Sequence, residues 1–142
     1  MPLSDQTISG LWAPSPTVHL VDLNHDHRPD LVRIFSRGYQ VVENTSDATG
    51  HHFVVHAVGT LADVFTPDSS WVQDMNGDGQ ADLVMRTPSS LAVWYGLGQF
   101  RFASALRTFP LKTLSGSNVT DLAQRQLTFL DVNRDGLMDV IT

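Results

Sequence analysis

Asp74-Met75-Asn76-Gly77-Asp78-Gly79-Gln80-Ala81-Asp82 is written twice more in this chain, as Asp22-Leu23-Asn24-His25-Asp26-His27-Arg28-Pro29-Asp30 and as Asp131-Val132-Asn133-Arg134-Asp135-Gly136-Leu137-Met138-Asp139. In every copy an oxygen-bearing side chain stands at positions 1, 3, 5 and 9. Such a donor set suits a hard cation, and calcium, with six to eight oxygen ligands at roughly 2.3 to 2.6 Å, fits it. Position 7 holds Arg28, Gln80 or Leu137, side chains with nothing in common, as expected where the backbone carbonyl is the ligand. Position 2 is always apolar, so Leu23, Met75 and Val132 are expected to turn inward and pin each loop to a core.

An EF-hand begins in the same way but ends in a bidentate Glu at its twelfth position between two helices. Here the twelfth residues are Arg33, Met85 and Thr142. The flanks also read as strands. Val18 to Val21, Ser70 to Gln73 and Leu127 to Leu130 lead in, and Leu31 to Ile34, Leu83 to Met85 and Val140 to Ile141 lead out, all rich in β-branched and aromatic residues. A dockerin would require helices after its loops, and no 3.6-residue apolar period is present.

The loops begin 52 and then 57 residues apart. That is near the ~40 to 50 residues of a propeller blade, a sheet of four short strands. The second copy reads through as one blade: Ser70 to Gln73, the acidic loop, Asp82 to Arg86, a turn at Thr87 to Ser90, Leu91 to Tyr95, a turn at Gly96 to Gln99, and Phe100 to Phe109. The first copy follows with a turn at Ser36-Arg37-Gly38, a strand from Tyr39 to Glu43, a turn from Asn44 to Gly50 and a strand from His52 to Val58.

The three Asp-x-Asn-x-Asp-x-x-x-Asp loops, with Val93-Trp94-Tyr95-Gly96-Leu97-Gly98-Gln99-Phe100, resemble the calcium-binding repeats of FG-GAP and VCBS type found in integrin-like β-propellers. The likeness covers most of residues 18 to 109 and then 127 to 142. The spacing and the Trp94 to Phe102 stretch are also similar to propeller segments of large bacterial toxin-complex and SpvB-like proteins. The resemblance implies an all-β chain of four-stranded antiparallel blades, with calcium loops between first and second strands and no chemistry at the metal. It implies three calcium sites: Asp22, Asn24, Asp26, Arg28 and Asp30; Asp74, Asn76, Asp78, Gln80 and Asp82; and Asp131, Asn133, Asp135, Leu137 and Asp139. The Phe-Gly and Gly-Ala-Pro signatures of the family are absent, and the first loop lacks glycines. With His27 where the others have Gly79 and Gly136 at the sharp turn, the first site is expected to be the weakest.

Nine of the 15 acidic residues are these loop aspartates, so the formal charge of -6 is mostly a set of metal ligands. One Lys and eight scattered Arg form no basic stripe, which argues against nucleic acid as partner. No apolar run of ~20 residues is present for a membrane span. Met1 to Asp5 is too polar for a signal peptide, and zero Cys leaves stapling to metal rather than disulfides. Calcium modules of ~10⁻⁴ to 10⁻³ M affinity fill outside the cytosol, so a secreted or cell-surface setting is expected, with any export signal outside this chain.

Other chemistry is weakly signalled. His51, His52 and His56 invite a zinc reading, but an i, i+4 pair on a strand lies roughly 13 Å apart at ~3.3 Å per residue, so an ordinary exposed strand is expected. His25 and His27 are expected to face solvent. Asn44-Thr45-Ser46 and Asn118-Val119-Thr120 are glycosylation sequons. No catalytic serine elbow, phosphate loop or cysteine nucleophile is present, and no enzyme is expected. Trp12, Trp71 and Trp94 are read as packing between blades, with a sugar-stacking platform as the alternative.

The chain divides into a lead segment (1 to 17), blade 1 (18 to 66), blade 2 (67 to 110), a polar connector (111 to 126) and a partial blade 3 (127 to 142). A ring takes about four to eight blades, so an incomplete propeller is expected, packing against further blades of the same or another polypeptide. The expected role is a calcium-stiffened scaffold or interaction module with a protein ligand; the alternative is a carbohydrate-binding lectin with a glycan ligand.

Overall fold

Leu83, Val84 and Met85 follow one another in sequence, and all three are buried. Successive side chains of a strand point to opposite faces, so this run demands a sheet covered on both sides. The computed structural model, which describes residues 17–35, 37–61, 69–113 and 115–142, supplies that arrangement. Trp12 and the rest of the lead segment before Thr17 lie outside the described residues, as do Ser36, 62–68 and 114.

Blade 1 is an antiparallel sheet of β1 (Val18–Val21), β2 (Asp30–Phe35) and β3 (Gly38–Asn44), edged by β4 (Phe53–Val55) and β5 (Gly59–Thr60). Both edge pieces pair with β3. Val42 faces Val55 and Tyr39 faces Gly59, so β3 advances three residues while the edge advances four. That extra residue marks a bulge in what the sequence presents as one strand from His52 to Val58.

Blade 2 consists of β6 (Ser70–Gln73), β7 (Asp82–Arg86), β8 (Ser90–Trp94) and an outer strand, β11 (Arg107–Pro110), in the order β11-β8-β7-β6. The expected fourth strand, Phe100 to Phe109, is corrected. Gly96–Gly98 (β9) and Arg101–Phe102 (β10) pair as a separate small hairpin, and the chain reaches β8 again only at Arg107. The cause is local: Gln99 and Phe100 both adopt left-handed φ, 51° and 62°, and reverse the chain. Phe102 is thereby carried into the core, its ring edge-on to Tyr39 at 4.8 Å. Blade 3 shows β12 (Thr128–Leu130) paired with β13 (Asp139–Ile141).

Blade 2 is the shared wall of two apolar cores. Leu83, Met85, Ala92 and Trp94 face blade 1, where they meet Val32, Ile34, Tyr39 and Val41, with Phe102 of β10 in the same core. Val84, Leu91 and Val93 face the other way, toward Val119, Leu122 and Leu127, with Trp71, Phe129 and Val140 packed alongside. Residues 111–126, read from sequence as a polar connector, thus contribute Val119 and Leu122 to a core, the latter from a single-turn 3-10 helix at Leu122–Gln124. The innermost strands of blades 1 and 2 are also joined by His19 Nε2 and Ser70 Oγ at 3.1 Å.

Candidate metal loops

Each acidic loop joins the first strand of a blade to the second. The residue before position 1 pairs with the Asp at position 9: Val21 with Asp30, Gln73 with Asp82, Leu130 with Asp139. That Asp is a latch. In loop one Asp30 accepts the Leu23 amide at 2.9 Å and the Asn44 amide at 2.9 Å. In loop two Asp82 accepts from Met75 and Gly96, both at 2.8 Å. Asn44, the last residue of β3, and Gly96, the first residue of β9, each lie 14 residues beyond their Asp. One carboxylate therefore ties the loop to the sheet, a role the repeat pattern alone does not reveal. In loop three Asp139 accepts the Val132 amide at 2.9 Å.

Asp30 and Asp82 are both fully buried. Burial raises their carboxyl pKa above the usual range; the two amides pull the other way, and the neighbouring loop aspartates add to the rise.

Positions 1, 3 and 5 repeat one hydrogen-bond pattern. Asp22 Oδ2 accepts the amide of position 6 at 2.8 Å, as do Asp74 at 2.8 Å and Asp131 at 2.9 Å. Asn24, Asn76 and Asn133 accept the amide of position 5 at 3.2, 3.1 and 3.0 Å and donate their own NH₂ to its carboxylate. Asp26, Asp78 and Asp135 accept the position 7 amide at 2.8, 2.7 and 2.8 Å. Inward amides hold the side-chain oxygens together, the Asx-turn chemistry of short polar residues.

Such a path requires left-handed φ at two positions, not the one expected. Position 4 is His25 (61°), Gly77 (76°) or Arg134 (61°), and position 6 is His27 (67°), Gly79 (86°) or Gly136 (88°). Gly77 has a further reason to be glycine: a Cβ there would stand 2.6 Å from the Gly136 carbonyl oxygen, so loops two and three abut.

The donors are of the oxygen type a hard cation takes, but position 9 is already engaged by amides. Among the described residues no group of three or more His, Asp or Glu side chains stands at metal-holding separation. The set that fits an ion in each loop is the position 1 and 5 carboxylates, the position 3 carboxamide and backbone carbonyls, together with the position 9 carboxylate, which keeps lone pairs beyond its amide bonds. At position 7 the side chains diverge as expected: Arg28 pairs with Asp26 at 2.7 Å, Gln80 is half-buried and Leu137 is exposed. For Asp26 burial raises the pKa, but the Arg28 amide, hydrogen bonds from Arg28 and Asn24, and the guanidinium charge together bring it below the ordinary value. At position 2, Leu23 is buried and Met75 half-buried, whereas Val132 is 60% exposed, against the expectation that it turns inward.

His25 and His27 are exposed, as read from sequence. The other three histidines of interest do not converge. His51 is exposed, His52 lies 3.7 Å from Asp47, and His56 stacks on Phe100 at 4.3 Å with Nε2 2.9 Å from Glu43. His56 is thus half-buried rather than part of an ordinary exposed strand. Trp94 is fully buried, and Trp71 packs edge-on against Phe129 at 5.2 Å, both between blades.

Residues 74–142 match the model of the FG-GAP-like repeat, a match that starts at the first aspartate of loop two and takes in loop three. FG-GAP repeats are in general interaction modules of β-propellers rather than enzymes, and are typically extracellular or surface domains. No curated protein matches the chain. No helix among the described residues is long and apolar enough to cross a membrane.

Proposed function

We propose that this chain is a non-catalytic, calcium-binding propeller module that presents its loops to a protein partner within a larger secreted, surface or toxin protein. The observation that carries the reading is the threefold repetition of one loop geometry, in which amides gather the oxygens of positions 1, 3 and 5 on a backbone with two left-handed residues. In loop two the charges of Asp78 and Asp74 both push the Asp82 carboxyl up, a repulsion within the loop. A bound calcium ion would supply the neutralising charge. The protein's part is to hold Asp74, Asn76 and Asp78, or Asp131, Asn133 and Asp135, in one arrangement while the position 9 latch transmits it to the sheet. Up to three ions are accommodated on this reading, the first most weakly.

A sugar-binding role is less well supported, because Trp94 is enclosed between blades and Trp71 is occupied by Phe129 and Arg86. Isothermal titration tests the proposal. Asp74→Ala and Asp131→Ala should each remove one calcium ion from the stoichiometry, and unchanged stoichiometry in both would overturn it.

A further inference from the structure

Loops one, two and three share a backbone path and an internal hydrogen-bond pattern, but among the described residues loop one alone carries a cation bonded to its own carboxylate. Arg28 Nε and Nη2 donate to Asp26 Oδ2 at 3.2 and 2.7 Å. The same guanidinium donates to the Asn44 carbonyl at 3.1 Å and the Ser46 carbonyl at 2.9 Å, clamping the loop to the turn after β3. Gln80 and Leu137, its counterparts, are uncharged. Loop three does contain an arginine, but Arg134 is exposed and forms no ion pair among the described residues.

We propose that Arg28 is the resident cation of loop one, standing in for a metal ion, so that this loop holds its shape unaided and stays empty at millimolar calcium. The inference rests on the calcium reading for loops two and three, and it leaves two ions per chain. A guanidinium is charged at every accessible pH and, as a planar fork, is suited to grip a carboxylate through two N–H groups. A divalent ion arriving at Asp26 must share that carboxylate with a positive charge, or displace a group held by four hydrogen bonds. The backbone agrees. Loop one bears non-glycine residues at both left-handed positions, a strained arrangement in a loop that a labile ligand would have to order.

Arg28→Gln, which copies position 7 of loop two, tests this against Arg134→Gln as control. Calorimetric titration should count two calcium ions in the unaltered chain and in R134Q, and three in R28Q. Arg28→Lys, which keeps the charge, should stay at two. In EGTA the Asp26 and His27 amides should exchange roughly tenfold faster in R28Q, with loops two and three unchanged, because a local contact is lost. Three ions in the unaltered chain, or exchange in EGTA indifferent to R28Q, would overturn the inference. Calcium binding at no loop would sink the calcium reading itself. Arg28 would then be judged by the EGTA exchange alone: acceleration confined to loop one upholds its role, and none refutes it.

Discussion

The two faces of blade 2 are built from the same strands but are not equally filled. Toward blade 1, β7 and β8 meet β2 and β3, and Leu83, Ala92 and Trp94 are sealed to 2% exposure or less. Toward blade 3, β6 is covered, Trp71 lying on Phe129, while β8 and β11 border an apolar cavity of about 330 Å³ lined by Leu91, Val93, Tyr95, Phe109, Leu111 and Val140 among others. The contrast lies in what covers each strand: the hairpin β12–β13 and residues 111–127 cover β6 and the inner strands, while β8 and β11 border the cavity.

The largest test of that difference is truncation of the side chains at its two ends. Trp94→Ala should cost about 3 to 5 kcal/mol, the usual loss for a fully enclosed aromatic. Leu91→Ala, beside an existing cavity, should fall near the low end of the ~2 to 5 kcal/mol range for buried leucines. Urea melts measure both. Equal losses would mean that the second face is as well filled as the first.

A smaller effect separates the latches. Asp82→Ala strands two amides, those of Met75 and Gly96, whereas Asp139→Ala strands that of Val132. At ~1 to 3 kcal/mol for each buried donor left unpaired, the first should be clearly the more destabilising in EGTA. If the Asp139 variant melts as low as the Asp82 variant, the Gly96 amide contributes nothing to the latch.

Much of this plan is legible in the residues. The loop pattern fixes where β1, β2, β6, β7, β12 and β13 fall, because an acidic turn between β-branched runs admits no other element. Less legible is the β9–β10 hairpin, since left-handed φ at Gln99 and Phe100 runs against the preferences of both residues. Position 9 reads as a ligand, but in loops one and two one of its two amide bonds comes from a residue 14 places on, a tertiary relation no local pattern encodes. Val132 looks like Leu23, but its burial depends on what packs beside it. Arg28 reads as a bystander because position 7 varies, and only the fold brings its guanidinium to the Asn44 and Ser46 carbonyls.

The smallest effect is in pH. Asp30 and Asp82 have carboxyl pKa values raised chiefly by burial, against the pull of their amides. A folded-state pKa above the unfolded one means that the folded chain takes up protons first. Metal-free stability should therefore rise slightly as pH falls through those raised values toward the ordinary carboxylate range. Asp26, Asp47 and Asp121, lowered, work in the opposite direction but only at more acid pH. Carboxyl carbon NMR titration in EGTA checks the order: Asp30 and Asp82 should titrate last on acidification's reverse path, at higher pH than Asp26, and the same midpoint for all three would contradict it.

Thermal melting in EGTA, in millimolar calcium and in millimolar magnesium tests the central claim most directly. An ion bound only by the folded chain adds about 2.7 kcal/mol at ~100 times its dissociation constant, so calcium should raise the midpoint by several degrees and magnesium by much less. A midpoint that calcium leaves unchanged, or that magnesium raises equally, would contradict a calcium-stiffened module.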